Sequence, residues 1–455
     1  MDLLIILTFL SIPLLAGIII TIFKNKIKYR DLVEINIFTS MALLIYSIYS
    51  LCYFCIEQNN IEDSTNIIKL TQNTKIFEIQ NYILIDNNNT ILLIGLSIIL
   101  FCISLFPNKA LSKIQTIYKM FFTFGIYGCI ISNNTVLLSI FLIITIICFC
   151  LIIFKKIELK KIIIPSISIL TIIIILITNK FIKNEFIVFP LFFLATFILS
   201  GFPFTDKWLT ENDIKTGNEI FSITSFGKLG IMIFFKFITI FNQNIIKFYL
   251  PLIIILGISC VIIKTILSIK EKNFQTISIN YLEIHSALLF ISIEIFSHII
   301  FICIILSIFT GIITQTALLF SATIIKIKAP NNDNNIFINQ ENSFFISMLI
   351  ITCLSALFIP GTATFIPYIF MLETATEHSA LLLIFLLLYP ISSEIYLYKI
   401  IQPMLQKGNT PSSNIKKIEP QEQIGLLLMN FVLIAIGIFP SIILQPILLI
   451  KILIS

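Results

Sequence analysis

The chain has 455 residues, of which 58% are hydrophobic and 12% charged, with 43 Phe and a formal net charge of +6. Soluble domains are about half apolar and about a quarter charged. The apolar excess runs through the whole chain, which excludes a soluble enzyme and points to an all-α, polytopic protein of the lipid bilayer. The positive charge is not the footprint of a nucleic-acid binder, because the lysines lie mostly in short connectors between apolar runs.

A helix needs about 20 apolar residues to cross a bilayer. On that measure the sequence predicts about fourteen transmembrane helices, at 3–23, 33–55, 90–106, 116–132, 134–154, 161–179, 185–203, 218–242, 248–269, 277–295, 297–326, 342–360, 379–403 and 423–447. The first run, Leu3 to Phe23, is long enough to span and has no small-residue cleavage site behind it, so it reads as a crossing and not as a signal peptide. The polar, Asn-rich connector 56–89 is expected to hold a short extended segment on one membrane face. The cysteine pairs Cys52/Cys55 and Cys148/Cys150 have no His or further Cys at metal spacing and read as small buried hydrophobes.

Lysine placement sets the topology. Lys24, Lys26, Lys28 and Arg30 follow span 1, Lys155, Lys156, Lys160 and Lys161 follow span 5, and Lys407, Lys416 and Lys417 follow span 13. The connectors after spans 4, 10 and 12 carry none, while Lys69, Lys75, Lys180, Lys183 and Lys247 weaken the alternation. The bias predicts that both termini face away from the cytoplasm.

Two spans are interrupted. Span 7 runs into "LSGFPFTDKWLTENDIKTG" (199–217), with Gly201 and Pro203, and span 12 into "LSALFIPGTATFIPYIFMLETA" (354–375), with Pro360 and Gly361. Proline removes a donor and clashes with the preceding turn, and in lipid the freed carbonyls need protein or water partners. Each interruption can be an ordinary helix end. Two of them five spans apart are also what a pair of inverted repeats leaves, and discontinuous helices at corresponding positions point to an ion path. The expected division is helices 1–3 over 1–115, a first repeat of helices 4–8 over 116–247, a second repeat of helices 9–13 over 248–403, and a last helix over 404–455.

The next span carries "TSFGKLGIM" (224–232), a lysine between two glycines in apolar sequence. A lysine near the bilayer centre costs about 2.5–3.5 kcal/mol on insertion scales. Gly227 and Gly230 let neighbouring backbones approach, so that carbonyls or water can solvate Lys228. Two roles stay open for it: a proton relay, or a cation parked in a polar pocket that holds its helix.

At these residues the sequence resembles the antiporter-like membrane subunits of respiratory NADH:quinone oxidoreductase (complex I) and of Mrp-type Na+/H+ antiporters. The most specific piece is "GFPFTDKWLTENDI" (201–214) followed by "SFGKLGIMIFFKF" (225–237). Pro203, Phe204, Trp208 and Leu209 keep the frame of the family's Pro-Phe/Leu-His-x-Trp-Leu stretch, with one residue inserted before Trp208, and Lys228 and Gly230 fall on its Leu-x-Lys-x-Gly segment. "ILIDNNNTILL" (83–93), with Asp86, "SINYLEIHSALLFI" (278–291) and "IPGTATF" (359–365) are similar to further family segments. The resemblance implies fourteen helices, two inverted repeats and discontinuous helices 7 and 12, an architecture the span count reaches independently.

The resemblance also implies a row of central charges, and here the chain departs from it. Ile143 aligns with the family's span 5 glutamate, with Thr145 the nearest polar residue. Ile198 stands at the span 7 lysine, with Ser200 nearby. Ile312, Thr314, Gln315 and Thr316 stand in span 11, and Tyr368 stands where an ionisable residue follows the second break. Lys228 is the central charge that survives. Glu219, nine residues before it on the same helix, is too distant to pair with it. Glu283 and His285, about two turns into span 10, and Glu394 in span 13 are the candidates for a membrane pathway, against a structural role. Glu211 and Asp213 read as a solvated face, Glu294 and His298 as an i,i+4 pair near a surface, Glu373, Glu377 and His378 as the aqueous end of the second break, and Lys399 as a snorkelling side chain.

No phosphate loop, nucleotide fingerprint or iron–sulfur cysteine set is present, so the chain is expected to hold no cofactor. Membership of a redox complex would place the electron chemistry on other membrane subunits. Three functions follow: a divergent antiporter-like subunit of a proton- or Na+-translocating complex, a non-pumping structural subunit of such a complex, or a stand-alone secondary transporter. A bacterial inner membrane is the expected location, with the mitochondrial inner membrane as the alternative.

Overall fold

The computed structural model describes residues 2–62, 87–106, 112–153, 159–178, 185–201, 214–238, 241–294, 298–328, 343–378, 380–405 and 418–441. Fifteen α-helices cover nearly all of them, and the described residues contain no strand. They are α1 (Asp2–Ile22), α2 (Tyr29–Glu62), α3 (Asn87–Ser104), α4 (Lys113–Ile131), α5 (Thr135–Ile153), α6 (Leu159–Thr178), α7 (Glu185–Leu199), α8 (Gly217–Phe237), α9 (Gln243–Lys270), α10 (Phe274–Ile291), α11 (His298–Lys328), α12 (Ser343–Ala356), α13 (Phe365–His378), α14 (Ala380–Leu405) and α15 (Pro420–Ile438). They follow the fourteen expected spans in order, with α12 inside span 12 and α13 an additional helix in the stretch between spans 12 and 13. Eight of these helices, as described, are long and apolar enough to cross a membrane. In lipid the backbone must satisfy itself, and helices do so within one segment.

The ends are cut by short polar residues. Ser112 caps α4, Asn242 caps α9 and Asn273 caps α10 by accepting from backbone N–H groups two or three residues on. Thr216 and Glu219 form a capping box at the start of α8. Of the connector 56–89, where an extended segment is expected, α2 takes the residues up to Glu62 and α3 those from Asn87; 63–86 lie outside the described residues.

Small residues let the helices meet. A Cβ on Gly128 of α4 would fall 2.2 Å from the Phe141 ring of α5, and one on Gly125 would fall 3.1 Å from the Thr145 backbone N. Ser47 and Ser40 of α2 bond Ser97 and Ser104 of α3 at 2.8 and 2.9 Å. These are the close backbone approach and interhelical hydrogen bonding that hold helices together where lipid is as apolar as leucine. The middle of the bundle belongs to α8 and α11, whose side chains are almost all buried. On the outside, Val136, Ile140, Ile143, Ile147 and Leu151 form one exposed apolar stripe along α5. That stripe suits contact with lipid or with another apolar chain.

The break in span 12 falls earlier than the proline suggests. α12 ends at Ala356, and Phe358 takes the left-handed conformation at φ 56. Phe358 N–H donates to Ser355 O and Ile359 N–H to Leu354 O, the paired bonds of a Schellman stop with phenylalanine in the usual glycine place. Pro360 follows it, and Gly361 turns at φ 91 before α13 begins. In span 7, α7 ends at Leu199 and Gly201 turns at φ 99. Pro203, Glu211, Asp213 and the rest of 202–213 lie outside the described residues, as does Asp86.

The turn after α12 is seated on α15. Ala363 N–H donates to Leu433 O at 2.8 Å, and a Cβ on Gly437 would lie 2.3 Å from Gly361 O. Backbone cannot yield to such an atom. Gly437→Ala is expected to cost about 1–3 kcal/mol, read as a lower midpoint of thermal unfolding in detergent; an unchanged midpoint would show that α15 does not rest on this turn.

Candidate functional site

Lys228 stands near the middle of the 21-residue α8 and is fully buried. Its ammonium Nζ lies 2.8 Å from Ser286 Oγ, 3.0 Å from His285 Nδ1 and 3.4 Å from Leu282 O, all on α10. An ammonium has three N–H donors and no acceptor, so the three contacts match its capacity. Hydrogen bonds to a charged group contribute about 1.5–3 kcal/mol each, enough together to offset the insertion cost. The ammonium is thus solvated by side chains and one carbonyl of a neighbouring helix.

The partner's protonation follows from the same bonds. As an ammonium Lys228 can only donate; in that state Nδ1 of His285 accepts and the imidazole carries its proton on Nε2. That Nε2 lies 3.3 Å from Ser307 Oγ of α11. A three-member chain therefore crosses from α8 through α10 to α11. Gly311 makes room for it: a Cβ there would sit 2.6 Å from His285 Cε1.

Beyond Ser307 the same face of α11 carries two further hydroxyls, Thr310 and Thr314, which donate to Leu306 O and Thr310 O of their own helix at 3.0 Å each. Ser307, Thr310 and Thr314 repeat at helical spacing along one face of α11. Thr314 Oγ1 is 3.3 Å from Ser355 Oγ on α12, which is 3.3 Å from Thr364 Oγ1, itself 3.2 Å from Thr362 Oγ1. Thr362 and Thr364 lie in the turn between α12 and α13, so the hydroxyl row ends at the interrupted helix. The strained Phe358 stacks on the His285 ring at 6.3 Å and on the Tyr368 ring at 4.8 Å. Tyr368 is itself buried and donates to Leu386 O at 2.9 Å.

On the other side, α10 meets α9 through a fully buried ion pair between Lys264 and Glu283. Glu283 lies against the turn that ends α7, where a Cβ on Gly201 would fall 2.5 Å from its Cγ. A Cβ on Gly230 would fall 2.2 Å from Thr196 O and 2.4 Å from Ser200 Oγ, so the end of α7 is pressed on α8 two residues past Lys228. Ser200 and Ser225 hydroxyls are buried there without a hydrogen-bond partner.

The structure thus brings Lys228, His285 and Glu283 into one region with Gly201, and Tyr368, Pro360 and Gly361 to its far end. Thr145 is buried but donates to Phe141 O and Leu142 O of its own helix. α5 meets α8 there through stacked rings, Phe149 on Phe226 at 4.2 Å. Ile143 faces outward, 46% exposed, so a carboxylate at that position would not point at Lys228. Glu394 and Lys399 lie on exposed faces of α14, away from the buried row, and Glu373 and Glu377 are exposed on α13. Glu219 serves as a cap, accepting from Lys215 N–H at 2.7 Å and Thr216 N–H at 3.1 Å. Side chains of Glu294, His298 and His378 are outside the description.

Sequence reasoning passed over two buried lysines, Lys264 and Lys119, and the half-buried Lys236. Lys264 pairs with Glu283, Lys119 of α4 donates to Asn36 Oδ1 at 2.9 Å and lies over the Phe221 ring, and Lys236 of α8 donates to Ile130 O at 2.6 Å. Lys264 had a signal, a lone cation in the apolar run "VIIKTIL", and an intramembrane ionisable residue is a site by default.

The fold has close counterparts among solved structures. The chain is similar to a chain of the Mrp complex from Dietzia sp. DQ12-45-1b, at 11% identity, with 97% of this chain and 95% of that one covered and a TM-score of 0.79. It is similar to a chain of the membrane-bound sulfane sulfur reductase, an archaeal respiratory membrane complex, at 12% identity, 98% and 96% coverage and a TM-score of 0.80. It is also similar to a chain of respiratory complex I from Thermus thermophilus with bound NADH, at 14% identity, 97% coverage of both chains and a TM-score of 0.78. No protein-family model and no curated protein sequence matches the chain. At these identities the likeness is one of fold.

Removing the imidazole, or its partner Ser307, strands a buried polar group. His285→Leu is expected to cost about 1.5–3 kcal/mol and Ser307→Ala about 0.5–1.5 kcal/mol, measured by unfolding of the purified chain in detergent. Equal, negligible losses would mean that Lys228 is solvated by something else.

Proposed function

We propose that the chain is a divergent antiporter-like membrane subunit of a proton- or Na+-translocating complex, with Lys228 and His285 as its proton relay. The observation that carries this reading is the buried chain Lys228–His285–Ser307, which reaches the face of α11 that also carries Thr310 and Thr314 and abuts the break between α12 and α13. A proton leaving Lys228 Nζ binds His285 Nδ1, and the imidazolium so formed releases the Nε2 proton towards Ser307. The ring then holds its proton on Nδ1 beside a neutral Lys228 amine; uptake of a proton at Nε2, followed by return of the Nδ1 proton to Nζ, restores both groups. Each transfer runs along a bond already within hydrogen-bonding reach.

The same reading takes α4–α8 and α9–α14 as two inverted repeats, with the positive-φ glycines Gly201 and Gly361 at their interrupted helices. Other membrane subunits are its partners, and the exposed apolar faces of α2, α5, α9 and α14 are the surfaces that meet them or lipid. A bacterial inner membrane, with both termini away from the cytoplasm, fits the lysine bias.

One observation favours a second reading, a structural subunit that no longer pumps. α5 meets α8 through the Phe149–Phe226 stack and not through a carboxylate. The two readings separate on flux. In membrane vesicles holding the assembled complex, Lys228→Met is expected to lower proton flux at least ~100-fold with assembly intact. Unchanged flux in a normally assembled complex would favour the structural subunit.

A further inference from the structure

Glu283 is a buried carboxylate in the middle of α10, packed against the turn that ends α7, and a carboxylate so placed can hold a monovalent cation. Its Cγ and Oε1 lie 2.5 and 2.8 Å from the Cβ position of Gly201, so it abuts the turn at φ 99 directly. A carboxylate is a hard oxygen ligand of the kind alkali cations take. Ser200, in the same turn, sets its buried hydroxyl against α8, 2.4 Å from the Cβ position of Gly230. What fills the position is the Lys264 ammonium, carried in from α9.

Stability alone does not account for this pair. A buried ion pair replaced by apolar residues of similar volume is often neutral or stabilising, because the desolvation cost offsets the attraction. The pair does accomplish one chemical thing. An ammonium on a side chain is a monovalent cation that cannot leave, so it denies the carboxylate to any free cation of the same charge. Among the described residues, Lys264 from α9 pairs with Glu283, and Tyr281 and His285 lie two residues to either side of it on α10. Gly201 abuts it from the end of α7, and α14 turns Glu394 and Lys399 outward.

We propose that Lys264 is a specificity-determining residue, a tethered cation that occupies an alkali-cation site at Glu283 and thereby restricts the relay to protons. The inference deepens the relay reading above and names its cargo. His285 lies two residues beyond Glu283, about 200° around the helix. The proton chain and the occupied carboxylate therefore look in different directions from α10, and only the proton chain is open to exchange.

The test uses sodium itself as the probe. The full chain is purified as wild type, Lys264→Ala, Lys264→Gln and Lys264→Ala/Glu283→Gln, and thermal unfolding is followed in NaCl and in choline chloride at equal ionic strength. Vacating the site should leave Lys264→Ala unstable in choline and raise its Tm by several degrees in sodium, since a ligand bound only by the folded state stabilises it. Lys264→Gln keeps a donor on the carboxylate and should show the same sodium preference at a smaller size. Wild type and the double variant should not distinguish the two salts. Recovery of Lys264→Ala only from preparations made in sodium would support the proposal equally. The proposal is overturned if both single variants respond alike to sodium and choline, or if wild type shows the same sodium rise. These readouts are independent of flux, so a failure of Lys228→Met to alter proton movement would sink the relay and leave the sodium result to be judged by itself.

Discussion

Everything in the middle of this bundle depends on one arrangement: an ammonium halfway along α8 held by three acceptors on α10. The cost of burying a lysine is met by a histidine ring, a serine hydroxyl and a main-chain carbonyl, with no carboxylate among them. That choice of partners has a consequence. A carboxylate would trap the charge in a neutral pair, whereas an imidazole can accept the proton and pass on another from its far nitrogen. The Lys228–His285 contact is therefore both the means by which α8 tolerates its cation and the step at which a proton can leave.

The packing around this contact is built to allow it. Gly230 brings the end of α7 against α8, Gly201 brings its turn against Glu283, and Gly311 leaves room for the imidazole between α10 and α11. At the far end, a phenylalanine takes the left-handed position that usually falls to glycine, and its ring bridges His285 and Tyr368. Strain of this kind persists only where surrounding contacts over-determine it. Here it fixes an aromatic wall beside a row of hydroxyls that reaches the interrupted helix.

Much of the fold was legible in the sequence because hydropathy dictates where helices lie in a membrane. The fourteen apolar runs recur as helices in the same order, and Pro360 and Gly361 mark the break between α12 and α13. The detail was less legible. α12 stops at Ala356, four residues before the proline, because a Schellman turn at Phe358 and not the missing N–H ends it. At the site, Lys228, Glu283 and His285 were each visible as ionisable residues in apolar sequence. Their pairing was not, since His285 lies 57 residues beyond Lys228 and the bond depends on how α8 packs on α10. Span 5 shows the limit of alignment: Ile143 takes the expected register yet faces outward, because a shift of one residue turns a helical position by about 100°. Lys264, an obvious intramembrane charge, was counted as part of a crossing when its meaning lay in the carboxylate it meets.

The central claim concerns where one proton sits, and nitrogen-15 NMR of histidine-labelled protein in bilayers reads it directly. The chain has 3 histidines, so His285 is assigned by comparison with a His285→Asn sample. The account predicts a neutral ring with a bare, accepting Nδ1 and a protonated Nε2, and a changed Nδ1 resonance when Lys228 is replaced by methionine. A proton resident on Nδ1, or a spectrum that does not respond to the loss of Lys228, would contradict it.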